Sequence, residues 1–408
     1  MSKPDVPWPV YSPTAEQRVI DLVRNGQVYD YAGRAPVTEL EDEFSLMHNG
    51  AHVVSFNSGT SALFALLGAL GFSEGDEVLV PNLTFLASAS PLLWLGARPV
   101  LVDSHPEEPS IGPTAILSAL SPRTKAVIVT HLFGNPVDAF RIADICETHG
   151  IILIEDCSHA HASRIGQQHV GTFGDAAIYS IGAGKMVSGG HGGLLVTRNS
   201  VVRDIALLIG HFKPRSRAGL LNSDLYAYAE FALGGNLRLS PISAALALDH
   251  LRDLRGLSQS RQINVDILAE AFDRLLELVQ APEPRMNGTH FDIVFRLPEA
   301  IPSITREELL SALADVGVAA TAPSTRPLNR VLRSIAAAGQ SRDNTYLERL
   351  VKFAQSVPGD DGLPHSTIQH DRMISFPAGL LYHADGAYAM ELARKARPVL
   401  ERIIGERA

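Results

Sequence analysis

Seven short aliphatic runs constrain this chain more than any other feature: residues 53–56, 77–80, 99–102, 126–129, 151–154, 176–179 and 193–196. Each is too short for a buried helix and too uniformly apolar to turn one face to water, so the runs read as strands covered on both faces. Several are separated by segments of helical apolar spacing. The clearest of these is 62–70, which follows a Ser58-Gly59-Thr60-Ser61 turn. Strand, glycine turn and helix are the repeating parts of a mostly parallel seven-stranded α/β sheet flanked by helices, and ligands of such sheets bind beyond the carboxyl ends of the strands.

A length of 408 residues exceeds what one hydrophobic core usually supports. Before the first strand, 14–25 and 37–47 have helical spacing, with Thr38 and Glu41 set like a capping box. From about Ile242 the texture changes. Segments 244–254 and 263–278 read as long helices, Pro282-Glu283-Pro284 as a break, 291–296 as a strand, 305–316 as a helix, 339–361 as polar and unpatterned, and 386–404 as a closing helix. The expected division is a large domain over 1–255 and a smaller α+β domain over 256–408.

The net charge is -9 with no basic run, which argues against nucleic acid or an anionic membrane surface as the main partner. Two cysteines, Cys146 and Cys157, give no disulfide framework. The first residues lack an apolar signal core and no apolar stretch is long enough for a bilayer, so the expectation is a cytoplasmic, metabolite-handling protein.

Two residues stand out on this frame. Asp156 closes a buried strand, where an unpaired carboxylate is costly and needs a cation or donors. Lys185 lies among Gly182, Gly184, Gly189, Gly190, Gly192 and Gly193, which let backbone approach a flat ring. Pyridoxal phosphate demands such a set: a lysine amine for its aldehyde, a carboxylate for its ring nitrogen, and N–H donors at a helix start for its phosphate. The Ser58-Gly59-Thr60-Ser61 turn alone reads equally as a plain N-capped turn; its order before Asp156 and Lys185 strengthens the phosphate reading. His159 is spaced to donate to the ring oxygen, and Phe85 to stack on the ring, with a core aromatic as the alternative. A P-loop fails at Gly182-Ala183-Gly184-Lys185, because Tyr179 stands where its first glycine belongs and Met186 where Ser or Thr belongs. Cys157, His159 and His161, even with His131 and His169, have no familiar zinc spacing, so no metal is expected.

In this order the motifs resemble the DegT/StrS-type aminotransferases, pyridoxal phosphate enzymes of fold type I, most of which aminate keto sugars and keto cyclitols. The matching stretches are 58–63, 75–81 with Thr84 and Phe85, 130–136, 154–161, 171–175, 180–185 and 234–238. The resemblance implies that Lys185 forms the Schiff base and, once released, is the general base, while Asp156 keeps the ring nitrogen protonated. It places His159 near the phenolic oxygen, Phe85 on the ring, and Gly59, Thr60 and Ser180 at the phosphate. It sends Asn236 to the cofactor of a neighbouring subunit, which requires a homodimer with shared sites. It further implies glutamate or glutamine as amino donor, a keto sugar or cyclitol as acceptor, and pyridoxamine phosphate between the two halves. His159-Ala160-His161 is similar to the cyclitol branch. Two positions depart from the pattern: His191 replaces a common acidic residue and Ala162-Ser163 a usual glycine. A dehydratase on the same scaffold, and a pyridoxal-phosphate-binding regulator without turnover, are the other readings. Similar dehydratases carry histidine at the lysine position, so Lys185 weighs against the first.

Overall fold

The computed structural model describes residues 8–211, 213–281, 283–298, 304–338, 344–376, 379, 382 and 385–405. Residues 1–7, Pro282 and the start of the unpatterned stretch, 339–343, lie outside the described residues.

The seven aliphatic runs form one sheet, in the order His52–Phe56, Gly193–Thr197, Ala176–Ser180, Ile152–Asp156, Thr124–Thr130, Glu77–Pro81 and Arg98–Val102. Neighbours pair parallel except Gly193–Thr197, which is antiparallel to both of its partners. Alternation that is invisible in the runs exists in space. Val54, Phe56, Val78, Ile128 and Ile154 pack into one helical layer, and Val53, Leu79, Val127, Val129 and Leu153 into the other. Helices Gly59–Ala69 and Ser200–Gly210 belong to the first layer, Val37–Met47, Ala139–His149 and Pro241–Arg252 to the second. Both faces are dry, which is why the strands carry so few polar positions.

Register fixes the edge where the strands end. Gly193 pairs with Phe56 on one side and with Ser180 on the other, and Asp156 pairs with Thr130 and with Ile178. A Cβ at Gly193 would fall 2.4 Å from Gly59 N, and a Cβ at Gly59 would fall 3.0 Å from Ser180 Cβ. The two glycines therefore let the helix Gly59–Ala69 start directly against the sheet.

The later part of the chain builds a second, antiparallel sheet from Glu277–Leu278, Ile293–Arg296 and Met373–Phe376. Its core is separate, with Phe272, Phe295 and Phe376 in mutual ring contact beneath the helices Leu254–Ala271, Arg306–Asp315 and Ala387–Gly405. Several sequence expectations need correction. The helix expected at 263–278 spans Leu254–Ala271, because polar residues such as Arg255, Ser258 and Gln262 hid its first turns, and Leu275, Leu276 and Leu278 belong to the following turn and the strand Glu277–Leu278. The stretch 339–361 contains an amphipathic helix, Thr345–Ser356, capped by Asn344. Thr38 and Glu41 make no capping box: the helix Val37–Met47 starts at Pro36, and Glu41 is buried, accepting from Ser55 N and paired with Arg215. Thr305 and Glu308 do form a capping box, at the start of the helix Arg306–Asp315.

A segment near the start of the chain crosses both parts. Trp8 Nε1 donates to the Lys185 carbonyl at 3.1 Å, its ring stacks 3.8 Å from that of Tyr382, and the Ser12 hydroxyl donates to Asp249 at 2.5 Å. Among the described residues no helix is long and apolar enough to cross a membrane.

Gly193→Val tests the close approach. The clash with Gly59 backbone is expected to remove about 1–3 kcal/mol of stability, whereas Gly359→Ala, with open space and a φ of -69°, should stay within about 0.5 kcal/mol of the parent in thermal unfolding.

Candidate active site

The strand ends, with Phe291, Ser324 and Thr325 from the later part of the chain, line a cavity of about 370 Å³. Gly59, Thr60, Phe85, Asp156, His159, Ser180 and Lys185 all line it. Asn236 does not: it is exposed on the segment after the helix Tyr226–Ala229.

At one end stands the first turn of the helix Gly59–Ala69. Ser58 caps it, its Oγ accepting from Ser61 N at 3.0 Å. The amides of Gly59 and Thr60 precede the helical ladder, so they and the Ser180 hydroxyl can receive an oxyanion at the positive end of the helix dipole. At the other end Asp156 is held from two sides, Oδ1 accepting from Ser158 N at 3.1 Å and Oδ2 from Ser88 Oγ at 2.9 Å.

Lys185 projects from the glycine-rich turn, its own N–H bonded to Gly182 O at 3.0 Å. Part of the residue remains exposed, while its amine is enclosed, with Nζ 4.3 Å from the centroid of the Phe291 ring. Burial pushes the amine down to about 8, against the opposing charges of Asp156 and Asp292. A lysine in that state is available as a base near neutral pH. His159 stacks on the other part of the same aromatic ledge, its ring 4.1 Å from Phe291 and tilted by 18°. Burial and then the Lys185 charge hold it well below the usual histidine range, so it is neutral. Its Nδ1 has no hydrogen-bond partner among the described residues. Phe85 is 67% exposed at the cavity, and so is not the core aromatic that its position after a strand also allowed.

Some lining residues were not foreseen. Phe291 and Thr325 come from beyond residue 280: Phe291 falls in the run read as a strand over 291–296 but precedes the observed strand Ile293–Arg296, and no pattern marks Thr325. Phe291 is brought in because Thr289 N donates to Gly134 O at 3.0 Å and Ser163 Oγ donates to the same carbonyl at 2.6 Å. This gives the unusual Ser163 a role in the chain's own packing. Ser88, Thr84 and Thr130 also line the cavity; the threonines fell inside matched motifs, but no spacing argument assigned them a task.

His131, Glu155 and Cys157 bring possible metal-ligand atoms within 4.8 Å of one another. The first two are already engaged. His131 Nδ1 accepts from Val137 N at 3.1 Å, so Nε2 carries the proton and donates to Glu155 at 3.1 Å. Glu155 also accepts from Gly171 N, Phe173 N and Gly174 N at 2.7–2.8 Å. Burial would raise its carboxyl, but His131 and these amides outweigh it and hold the group below the usual range.

The residues at the cavity suit pyridoxal phosphate: a cradle at a helix start that only a glycine leaves open, an anchored carboxylate, a half-buried imidazole with an unused nitrogen, and an enclosed lysine. The sequence profile of the DegT/DnrJ/EryC1/StrS aminotransferase family matches residues 12–341. The chain belongs to that family. It is a pyridoxal-phosphate-dependent aminotransferase. It is 31% identical to L-glutamine:scyllo-inosose aminotransferase of Streptomyces griseus, over 97% of this chain and 94% of that protein. It is 30% identical to L-glutamine:2-deoxy-scyllo-inosose aminotransferase of Streptomyces kanamyceticus, over 79% and 78%. Its fold matches a crystal structure of 3-amino-5-hydroxybenzoic acid synthase with a TM-score of 0.79 and 24% identity, covering 98% of this chain and all of that one.

Two measurements follow. In cofactor-free enzyme, modification of Lys185 by an amine reagent, followed by peptide mass, should have its midpoint near pH 8. A midpoint near the ordinary 10.5 would contradict a desolvated amine. Because the folded pKa is the lower one, this group makes stability rise with pH between about 8 and 10.5. Glu155→Gln should cost on the order of 3 kcal/mol in denaturant unfolding, since a side-chain NH₂ would face backbone donors. The Glu155 contribution is present above the ordinary carboxylate range and lost on acidification through its lower folded value.

Proposed function

We propose that the enzyme transfers an amino group from glutamate or glutamine to a keto cyclitol or keto sugar, in amino-sugar or aminocyclitol biosynthesis. The observation that carries this is the enclosed Lys185 amine, lowered to about 8, in one cavity with an anchored Asp156 and an open helix N-terminus. The named relatives act, by their names, on inososes with L-glutamine, which supports the cyclitol end of the range.

Each residue has a task in this reading. Gly59, Thr60 and Ser180 hold the phosphate, Phe85 covers one face of the ring, His159 donates near the phenolic oxygen, and Asp156 holds the ring nitrogen protonated. When bound, pyridoxal phosphate supplies the electron sink that makes loss of a proton from the carbon bearing the amine feasible. Lys185 Nζ takes the proton from Cα of the donor and, in the second half, delivers one to the carbon of the acceptor that becomes aminated. The cavity walls, Leu63, Leu132 and Phe291 among them, limit water at that carbon.

The reading also includes a homodimer with shared sites, a cytoplasmic location, and a division near Arg255 into domains 1–255 and 256–408. Asn236 is exposed beside Phe231 and Leu233, which are 81% and 57% exposed, and such an apolar stretch suits a second copy of the chain.

Absorption spectra before and after borohydride, with peptide mass, test the assignment. A visible band that moves on reduction, with the added mass on Lys185, is expected. Lys185→Ala should lose the band and at least about a thousandfold in transamination, with parallel double-reciprocal plots for the parent. No band after adding pyridoxal phosphate would favour a binding protein without turnover.

A further inference from the structure

Asp156 is met by a line of hydroxyls whose direction can be deduced. Ser88 Oγ lies 2.9 Å from Asp156 Oδ2, Thr84 Oγ1 lies 3.0 Å from Ser88 Oγ, and Thr130 Oγ1 lies 2.9 Å from Thr84 Oγ1. All four residues are buried. A carboxylate only accepts, so the single proton of Ser88 goes to Asp156. The oxygen of Ser88 must then accept from Thr84, whose own proton is thereby committed, and Thr130 must donate to Thr84. All three dipoles point their positive ends toward the carboxylate, and aligned hydrogen bonds polarise one another.

The three hydroxyls come from separate places: Thr130 ends the strand Thr124–Thr130, Thr84 follows the strand Glu77–Pro81, and Ser88 lies in the turn Leu86–Ser88. The line therefore spans two adjacent strand ends and reaches the end of a third. With Ser158 N on Oδ1, both carboxylate oxygens have a protein donor. That leaves rotation of the carboxylate no alternative that keeps both bonds.

We infer that the Thr130–Thr84–Ser88 hydroxyl line is a positioning device for Asp156, fixing how its carboxylate meets the ring nitrogen of pyridoxal phosphate and how firmly that nitrogen stays protonated. This rests on the reading that Asp156 meets the ring nitrogen. Ser88, Thr84 and Thr130 are positioning residues, acting through Asp156. The sequence carried no sign of the line, since its members are scattered and each is an ordinary hydroxyl residue.

The test uses pyridoxal phosphate labelled with ¹⁵N in the ring, loaded into the full-length enzyme. The readouts are the ¹⁵N resonance of the bound ring and the dissociation constant of the cofactor. Thr84→Val keeps the shape and removes the hydroxyl, whereas Thr84→Ser keeps the hydroxyl and removes a methyl. Ser88→Ala should weaken binding about tenfold and move the resonance toward the unprotonated position. Thr84→Val should act in the same direction by about threefold, and Thr84→Ser should stay within about twofold of the parent. Equal behaviour of Thr84→Val and Thr84→Ser, or an unmoved resonance in Ser88→Ala, would overturn the inference. Asp156→Asn separates the two levels. If it moves the resonance while the hydroxyl variants do not, only the hydroxyl line fails; if it does not, the role of Asp156 fails and the inference with it.

Discussion

A carboxylate with no exposed surface survives at residue 155 because three backbone amides and the His131 imidazole converge on it. The amides belong to the loop 171–174, which leads into the strand Ala176–Ser180, while His131 follows the strand Thr124–Thr130. One buried charge thus ties the carboxyl ends of two neighbouring strands, Thr124–Thr130 and Ile152–Asp156, to the loop that begins a third. Asp156, the next residue, points the other way along the pleat and inherits that rigidity. Thr130 and Asp156, which line the cavity, are terminal residues of the two strands so bound.

Charge inside the cavity is handled by contrast. Lys185 is partly neutralised by desolvation, whereas Asp156 is surrounded by donors and Asp292 is pushed up by burial despite Lys185 and Arg261 nearby. Burial thus lowers the base and raises the acid, which brings the two closer in proton affinity. The neutral His159, stacked flat on Phe291, adds a polar edge without adding another charge.

Much of this was legible in the chain. The strands are short, dry and local, so their composition announces them, and the strand-end placement of Asp156 follows from counting. Seven of the eight residues singled out share one cavity for the same reason: each adjoins a strand end or the glycine turn. What escaped notice depends on partners distant in sequence. Glu41 looked like a capping residue until Arg215 and Ser55 claimed it. Phe291 enters through hydrogen bonds of Thr289 and Ser163 to Gly134, which no local window displays. The helix Thr345–Ser356 was missed because only one of its faces meets the core, through Phe353 and Ala354.

The contact of Trp8 bears on how the molecule is assembled during synthesis. Trp8 binds the Lys185 carbonyl and stacks on Tyr382, and Ser12 binds Asp249, so residues translated early find their resting places only after most of the chain has left the ribosome. The segment around Trp8 and Ser12 thus lies across the turn that carries Lys185, fastened by Asp249 and Tyr382 from much later in the chain.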